Sequence, residues 1–324
     1  MTTRPTVILT RRWPPSVEAQ LRRRYEVTLN EDDHPFSSQD LQSALQHYDA
    51  VCPTVTDSIT AEVLNTTPLR CRILANYGVG VNHIDLETAA AKGITVTNTP
   101  GVLTDCTADI AITLLLMAAR RAGEGEREVR AGRWRGWRPT HLLGTKVTGK
   151  TLGIIGMGRI GQAVAKRARH GFGMKILYFH PRPVADETLT GLDATACASI
   201  DELLPQCDFV SLHCPGGQRN FHLIDAHRLA LMPSHAFLIN TARGDVVDTE
   251  ALIQGLKEAA IRGAGLDVYE NEPQIDPRLL ALDNVVLLPH LGSATEETRE
   301  AMGLRVLTNL DAFFSGQTPP DIVA

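Results

Sequence analysis

The chain has 324 residues, and a prior of about 150 residues per domain predicts two domains with a cleft between them. Its 43% hydrophobic and 21% charged residues are typical of a soluble enzyme, and a net charge of -5 provides no basic surface for a nucleic-acid backbone. We therefore expect no nucleic-acid partner. We expect no membrane association either, because the longest apolar run, residues 110–119, is far shorter than the ~20 residues of a membrane span.

The first hundred residues alternate between strand and helix patterns, which predicts parallel strands crossed by helices. The predicted strands cover residues 6–10, 25–29, 49–52, 71–75 and 94–97, and the predicted helices cover residues 14–24, 38–46, 59–64 and 86–92. Residues 98–101, Asn-Thr-Pro-Gly, are typical of a turn, and longer helices are predicted after it at 104–121 and 124–132. We place a domain boundary at this turn.

A second α/β segment is predicted after residue 150. Its strands cover residues 152–155, 175–179, 208–213, 236–239, 263–268 and 285–288, and its helices cover residues 162–170, 200–204, 225–231 and 249–258. A closing helix at 296–314 is long enough to pack back against the first domain. The predicted domains are therefore residues 1–100 with 294–324, and residues 101–293.

Residues 151–161, Thr-Leu-Gly-Ile-Ile-Gly-Met-Gly-Arg-Ile-Gly, are typical of a buried strand that turns on glycines into a helix. In the dinucleotide-binding fold, Gly156 would make the tight turn, Gly158 would let the backbone approach the pyrophosphate, and Gly161 would let the helix pack on the strand. Backbone N–H groups and the helix dipole then face the phosphates. The alternative is a structural turn without a ligand, because 26 glycines produce such spacings by chance.

Three charged or titratable residues, Arg243, Glu272 and His290, follow predicted strands of this second segment. Open α/β sheets bind ligands in the crevice beyond the carboxyl ends of their strands. Taken singly, these residues are typical of a solvated charge, a loop and a structural histidine. Together, at strand ends of one nucleotide-binding sheet, they indicate a catalytic site.

Six motifs connect these features to a known family. They lie at residues 76–85, 97–104, 149–161, 240–244, 265–273 and 288–293. With these motifs in this order, nearly the whole chain resembles the D-isomer-specific 2-hydroxyacid dehydrogenases, and most of all the glyoxylate/hydroxypyruvate reductases. The resemblance implies an α/β fold of two doubly wound parallel-sheet domains, a Rossmann cofactor domain and a discontinuous flavodoxin-like substrate domain. It implies reduction of a small 2-keto acid, glyoxylate or hydroxypyruvate.

The resemblance also assigns roles to residues of this chain. Arg243, Glu272 and His290 match the catalytic residues, and Val79 and Gly80 match the residues that bind the substrate carboxylate, although a plain turn would need no ligand there. The positions matched to cofactor contacts are Thr107, Gly156, Gly158, Arg159, Ile160, Gly161, His180, Arg182, Cys214, Ala242, Asp267 and Gly292. Of these, Asp267 matches the acceptor for the nicotinamide carboxamide, and Thr107 is equally typical of a helix cap.

The expected chemistry explains the catalytic residue types. Reduction of a 2-keto acid needs a carboxylate anchor, a proton donor and a positioned nicotinamide. The planar fork of Arg243 can hold carboxylate and carbonyl oxygens, and His290 would donate the proton. A neighbouring Glu272 should favour the imidazolium and fix the ring.

The cofactor expected from the sequence is NADPH, with NADH as the alternative. An NAD-type site typically has an acidic residue ~20 residues beyond the glycines, which binds the ribose 2′-hydroxyl. No Asp or Glu occurs between Gly161 and Asp186, and His180 and Arg182 stand where the acid would be. A carboxylate would repel a 2′-phosphate, whereas a histidine and an arginine can hydrogen-bond it.

The tryptophans and cysteines lead to further predictions about the substrate pocket, subunit contacts and cellular location. Trp13 would line the substrate pocket or pack in the core, and Trp134 and Trp137 would clamp a partner subunit or cap their own loop. By resemblance we expect a homodimer built through residues 105–144. The six cysteines are scattered without a CxxC pair, and the sequence begins without a signal peptide, so we expect no metal site and a cytoplasmic location.

Two alternatives to this function remain open. One is the same chemistry on another small 2-hydroxy acid, among which phosphoglycerate is less favoured because the chain ends soon after the returning helix. The other is a nucleotide-sensing binding protein of the same fold, like the co-repressors of the family. The three intact catalytic matches favour an enzyme.

Overall fold

The computed structural model describes residues 4–324. The chain divides into two compact units. The smaller unit combines the residues up to Leu103 with Ala294–Ala324, and the larger unit is Thr104–Ser293.

Strands and helices alternate along both units. The strands are β1 (Thr6–Leu9), β2 (Glu26–Leu29), β3 (Ala50–Cys52), β4 (Ile73–Ala75), β5 (Thr95–Thr97), β6 (Thr151–Ile155), β7 (Lys175–Phe179), β8 (Ala194–Ala196), β9 (Phe209–Leu212), β10 (Phe237–Asn240), β11 (Gly263–Leu266) and β12 (Val285–Leu287). The helices are α1 (Pro15–Arg24), α2 (Ser38–His47), α3 (Ala61–Leu64), α4 (Leu86–Ala91), α5 (Thr104–Arg120), α6 (Ala122–Arg130), α7 (Arg159–Phe172), α8 (Asp186–Leu189), α9 (Ile200–Leu203), α10 (Ala226–Leu231), α11 (Thr249–Lys257), α12 (Pro277–Leu280) and α13 (Glu296–Phe314).

The smaller unit is built on a five-stranded parallel sheet in the order β2-β1-β3-β4-β5. This is the flavodoxin-like order, in which the strand order reverses between β1 and β3. Strands β3 and β4 are buried at every position, as expected for parallel strands covered on both faces. Helix α13 packs on α1, where a Cβ atom at Gly303 would lie 2.6 Å from a methyl carbon of Val17.

The larger unit is built on a seven-stranded parallel sheet in the order β12-β11-β10-β9-β6-β7-β8. With β6 counted as its first strand, this is the Rossmann order extended by one strand, and the order reverses between β6 and β9. Strands β9, β10 and β11 are buried throughout. Ligands of such sheets bind beyond the carboxyl ends of the strands at the reversal, which here are Ile155 and Leu212.

Helix α5 covers one face of the larger sheet and contains the long apolar run. A Cβ atom at Gly265 would lie 2.9 Å from Cβ of Leu114, so the glycine in β11 permits this close helix–sheet contact. Over residues 4–324, no helix is both long and apolar enough to cross a membrane.

The sequence analysis did not predict three short elements, β8, α8 and α12. Strand β8 lies at the sheet edge with two of its three residues exposed, so it lacks an apolar pattern. Helix α7 begins at Arg159, three residues earlier than predicted, because Gly158 forms its N-cap directly.

Candidate active site

The turn between β6 and α7 has the backbone that the three glycines predict. Gly156 has φ 102°, and a Cβ atom there would lie 2.7 Å from the carbonyl carbon of His213. A Cβ atom at Gly161 would lie 2.2 Å from the carbonyl oxygen of Gly156. Both positions therefore require glycine, the first for a left-handed turn beside β9 and the second for contact between helix and strand.

The second glycine, Gly158, borders open space instead. Apart from its chain neighbours and the backbone of α7, no atom of residues 4–324 lies within 4 Å of where its Cβ would be, and Gly158 caps α7 without a side-chain hydrogen bond. Arg159, exposed, and Ile160 form the first turn of the helix, so their N–H groups have no intrahelical acceptor. A helix N-terminus with free N–H groups and open space before it fits a pyrophosphate.

His180 and Arg182 follow β7, the strand beside this turn. The pKa of His180 is lowered by burial and by the charge of Arg182. Within the described residues, Nδ1 of His180 is buried without a hydrogen-bond partner, and Arg182 is exposed. The chain therefore offers a ring nitrogen and a guanidinium where an NAD-type site would carry a carboxylate.

Cys214 follows β9 on the other side of the glycine turn. Burial raises the pKa of its thiol to about 11, so the side chain is a neutral thiol at physiological pH. The preceding residue, His213, accepts or donates a 2.8 Å hydrogen bond with Ser211. The main chain of His213 and Cys214 lies directly beside Gly156, so these two residues border the glycine turn.

Arg243 lies in a tight loop after β10, and the side chain of Asn240 stabilises this loop with two hydrogen bonds to its backbone. The Asn240 amide donates to the Arg243 carbonyl at 2.9 Å, and its oxygen accepts from the N–H of Ala242 at 3.0 Å. The guanidinium of Arg243 donates to the Ala242 carbonyl at 2.6 Å. Burial lowers the pKa of Arg243, while the charges of Glu272 and Asp245 oppose that change.

The next residue, Gly244, brings this loop onto the segment after β11. A Cβ atom at Gly244 would lie 1.9 Å from the carbonyl carbon of Tyr269. No other residue type fits this backbone contact. The loop that carries Arg243 and the segment that carries Glu272 are therefore in direct contact.

Glu272 and His290 form a close pair. Oε2 of Glu272 lies 2.7 Å from Nδ1 of His290, and Oε1 accepts from the N–H of Tyr269 at 2.8 Å. Burial raises the pKa of Glu272, but the hydrogen bond and charge of His290, the Tyr269 N–H and the charge of Arg243 together hold it below its ordinary value. Glu272 is thus ionised near neutral pH, and both side chains remain about 30% exposed, 30% for His290 and 31% for Glu272.

Asp267, which follows β11, holds the turn that carries His290. Its two carboxylate oxygens accept from the N–H groups of Leu291 at 2.6 Å and Gly292 at 2.7 Å, and its carbonyl accepts from the N–H of His290 at 3.0 Å. These three bonds fix His290 at φ 56°, a conformation uncommon outside glycine. Burial raises the pKa of Asp267, and the N–H groups and the charge of His290 counteract it.

Thr107 contacts the same turn from α5. Its hydroxyl donates to the Gly292 carbonyl at 2.9 Å, and the residue is buried. Because Thr107 lies inside the helix, three residues after its start, it is not the N-cap that the sequence left open. Thr107 therefore stabilises the turn that carries His290, through the carbonyl of Gly292.

In the smaller unit, the predicted substrate loop contains Val79 and Gly80, and two asparagine side chains donate hydrogen bonds to its carbonyl groups. The buried Asn76 amide donates to the carbonyls of Gly78 and Gly80, each at 3.0 Å, and the Asn98 amide donates to the Val79 carbonyl at 2.8 Å. Among the described residues, the N–H groups of Val79 and Gly80 meet no acceptor. A glycine-rich loop with fixed carbonyls and free N–H groups suits an anion.

Trp13 is buried in the smaller unit, where its ring lies 4.4 Å from that of Tyr77. The indole N–H is buried and has no hydrogen-bond partner in the described part of the chain. Core packing is therefore part of its role. Trp134 and Trp137 are exposed at 54% and 82%, so they do not cap their own loop.

The sequence analysis missed the residues that hold these loops, which are Asn76, Asn98, His222, Asn240 and Asp245. Asn76, Asn98 and Asn240 each end or follow a strand inside a quoted motif, and this position is the signal that could have identified them. For His222 and Asp245 the contacts are tertiary, so no local pattern reveals them.

A dinucleotide turn on the same sheet edge as a histidine–carboxylate pair and a shielded arginine defines the class of protein, a nicotinamide-dependent oxidoreductase. Comparison with known proteins gives the family. The family model described as the D-isomer specific 2-hydroxyacid dehydrogenase, NAD binding domain matches residues 112–292. The chain belongs to the D-isomer-specific 2-hydroxyacid dehydrogenase family.

The relatives cover almost the full chain. The glyoxylate reductase of Thermococcus litoralis is 46% identical, over 99% of this chain and 97% of that protein. The glyoxylate reductase of Korarchaeum cryptofilum is 46% identical, over 99% of this chain and 96% of that protein. The NADPH-dependent glyoxylate/hydroxypyruvate reductase of Sinorhizobium meliloti, solved with NADP and malonate, superposes with a TM-score of 0.88 at 34% identity, covering 99% of this chain and 97% of that one.

Proposed function

We propose that this oxidoreductase reduces a small 2-keto acid, glyoxylate or hydroxypyruvate, to the 2-hydroxy acid. The observation that carries the proposal is the 2.7 Å contact between Glu272 and His290, together with the half-buried Arg243 that follows the neighbouring strand. Relatives at 46% identity that are named glyoxylate reductases support the substrate class.

The roles of the three side chains follow from their contacts. Nδ1 of His290 is engaged by Glu272, and among residues 4–324 its Nε2 has no partner, so Nε2 is the atom that delivers the proton to the carbonyl oxygen. The ionised Glu272 fixes the orientation of the ring through its contact with Nδ1. Arg243 anchors the carboxylate and polarises the carbonyl through its fork. In the oxidative direction, neutral His290 takes the proton back.

We propose that the loop of Val79 and Gly80 in the smaller unit binds the substrate carboxylate. The N–H groups of Val79 and Gly80 are free donors in a loop whose carbonyls are fixed by Asn76 and Asn98. Backbone donors of this kind hold an anion without a side chain of their own.

The cofactor we propose is NADPH, with NADH as the weaker alternative. When bound, the nicotinamide cofactor supplies the hydride. The residues proposed to hold it include Gly158, Arg159 and Ile160 at the pyrophosphate and His180 and Arg182 at the 2′-phosphate, and the open space at Gly158 fits the group. The remaining proposed contacts are Thr107, Gly156, Gly161, Cys214, Ala242, Asp267 and Gly292. The NADPH-dependent relative of Sinorhizobium meliloti supports this choice.

We also propose a homodimer and a cytoplasmic location. The segment around residues 105–144 carries four exposed apolar side chains, Val129, Trp134, Trp137 and Leu143. An exposed group of this size is typical of a protein interface. All six cysteines are free thiols, which suits a reducing compartment.

One experiment tests substrate and cofactor together. A panel of 2-keto acids is assayed with NADPH and with NADH in parallel, and we expect glyoxylate or hydroxypyruvate with NADPH to give the highest kcat/KM. Turnover of another 2-keto acid alone would replace the substrate but keep the chemistry. Cofactor binding without turnover of any keto acid would instead indicate the nucleotide-sensing binding protein.

A further inference from the structure

His222 lies outside the proposed catalytic residues, yet it touches both loops that carry them. It follows β9 in the chain, and its main chain has φ 49°, which an ordinary side chain rarely adopts. Its N–H donates to the Asp245 carbonyl at 2.8 Å, two residues beyond Arg243. The neighbouring Ile224 continues this contact by pairing with Val247 as a parallel bridge.

The ring of His222 reaches the other loop. Its Nε2 lies 2.9 Å from Oε1 of Glu270, two residues before Glu272, and its Nδ1 lies 3.8 Å from Oδ2 of Asp248. The exposed ring of Phe221 stacks on it at 3.9 Å. Burial raises the pKa of Glu270, but the hydrogen bond of His222, contacts from Thr249 and the charge of His222 lower it overall.

The two loops also meet each other, at Gly244 and Tyr269. Tyr269 also contacts Glu272, because its N–H donates to Oε1 of that residue. A displacement of Glu270 would therefore move Tyr269, the N–H bond to Glu272 and the backbone next to Arg243 together. His222 bonds Glu270 with its ring and the Arg243 loop with its main chain, so it links the two.

We propose that His222 is a positioning residue: its hydrogen bond to Glu270 fixes Glu272 and Arg243 relative to each other. The inference rests on the proposed roles of those two residues. It assigns no contact of His222 with substrate or cofactor. A misplacement of about 1 Å at a reacting group costs up to 100-fold in rate, so the contact is kinetically important.

The test uses variants that separate the ring contact from the backbone. Asparagine tolerates a positive φ but has no atom at the place of Nε2, so H222N keeps the main chain and loses the contact. Gln carries a nitrogen that corresponds to Nε2, so H222Q restores it. E270A removes the acceptor. The matched control is H235N, since His235 makes a similar 3.1 Å contact with Asp208 just before β10, at the opposite edge of the sheet.

We expect H222N to lower kcat by between about 10- and 100-fold and to raise the KM for the keto acid, with the Kd for NADPH unchanged. H222Q should recover most of kcat, and H235N should match the wild type. The double variant H222N/E270A should be no worse than E270A, because both remove one interaction. Wild-type kcat and KM in H222N, additive losses in the double variant, or lower thermal stability as the sole effect would overturn the proposal.

A second readout does not depend on activity. In the free protein, hydrogen exchange of the amides at residues 243–248 and 269–272 should be faster in H222N and E270A than in the wild type and H235N. Unchanged exchange in H222N overturns the inference. A wild-type enzyme that reduces no keto acid would overturn the proposed function while leaving this exchange test valid. If H222N does not fold, E270A and H222Q answer the same question.

Discussion

Glu272 and His290 lie on consecutive strand ends, β11 and β12, and their side chains meet at 2.7 Å between Oε2 and Nδ1. The carboxylate is held on its other oxygen by the Tyr269 N–H, and the histidine main chain is held by Asp267. Glu272 cannot turn away from His290 without breaking its bond to the Tyr269 N–H, and the main chain of His290 is fixed by Asp267. The pair is therefore preorganised, and Nε2 of His290 is the atom that we propose for proton transfer.

Removal of the proton donor should separate chemistry from binding. We expect H290A to lower kcat for keto-acid reduction by about 10²- to 10⁴-fold, the usual contribution of a general acid, while the Kd for NADPH stays unchanged. Steady-state kinetics and a fluorescence titration of NADPH measure the two quantities. Wild-type turnover in H290A would show that another group donates the proton.

Neutralising the carboxylate should act through pH. The hydrogen bond and charge of His290 hold the pKa of Glu272 below its ordinary value, so the carboxylate is ionised at neutral pH and loses its charge only as the pH falls through that lowered value. Protonation of Glu272 should therefore lower kcat/KM of the wild type at acidic pH, whereas E272Q, which lacks the charge at every pH, should have a lower kcat/KM at neutral pH and no such acid limb. The pH dependence of kcat/KM from about pH 4 to 8 provides the measurement, and E270Q in a parallel profile distinguishes loss of this charge from loss of a neighbouring one.

Cofactor preference should be reversible at one position. In H180D a carboxylate would repel the 2′-phosphate and accept the ribose 2′-hydroxyl instead. A hydrogen bond to a charged group contributes about 1.5–3 kcal/mol, so we expect the ratio of kcat/KM for NADPH over NADH to fall by roughly 10- to 100-fold. R169A is the control, because Arg169 pairs with Asp193 near the opposite end of α7. A wild-type preference for NADH would refute the assignment.

Local patterns predicted the fold more fully than the contacts that hold the loops of the candidate site. Central strands such as β4 and β10 are apolar runs, and Gly156 and Gly161 are required by backbone geometry that leaves a signature in sequence spacing. Arg243, Glu272 and His290 were placed because they follow strands. Strand β8 and the 222–270 contact were not predicted, because an exposed edge strand has no apolar period and a contact across 48 residues depends on packing.

His213 should make stability depend on pH. Its desolvated ring has a pKa lowered from 6.5 to about 3, so between these values the unfolded state binds a proton that the folded state does not. The contribution of the neutral ring is complete above pH 6.5 and is lost progressively as the pH falls toward 3, at up to about 1.4 kcal/mol per pH unit for one fully linked proton.

The H213Q variant tests this linkage, since glutamine can keep the hydrogen bond to Ser211 but does not titrate. We expect the urea midpoint of the wild type to fall more steeply than that of H213Q between pH 7 and 5. H235Q should follow the wild type, because His235 is exposed. Parallel slopes for the wild type and H213Q would show that the ring binds a proton as readily in the folded protein as in the unfolded chain.

The substrate loop of the smaller unit should be sensitive to loss of Asn98. Its amide holds the Val79 carbonyl at 2.8 Å, while its own main chain is fixed independently, by the Asp321 carbonyl and the Asn309 amide, each at 3.2 Å. The N98A variant should therefore fold normally and lose one orienting bond. At about 0.5–1.5 kcal/mol for such a bond, the KM for the keto acid should rise by roughly 2- to 12-fold, with the Kd for NADPH unchanged.

The control for this variant is N284A, because the Asn284 amide also donates to a carbonyl, that of Leu256 at 3.1 Å, but lies just before β12 in the larger unit. It should show the KM of the wild type. A raised Kd for NADPH in N98A would point to a cofactor contact rather than a substrate contact. An unchanged KM in N98A would mean that the N–H groups of Val79 and Gly80 do not carry the carboxylate, and Arg243 would then be its main anchor.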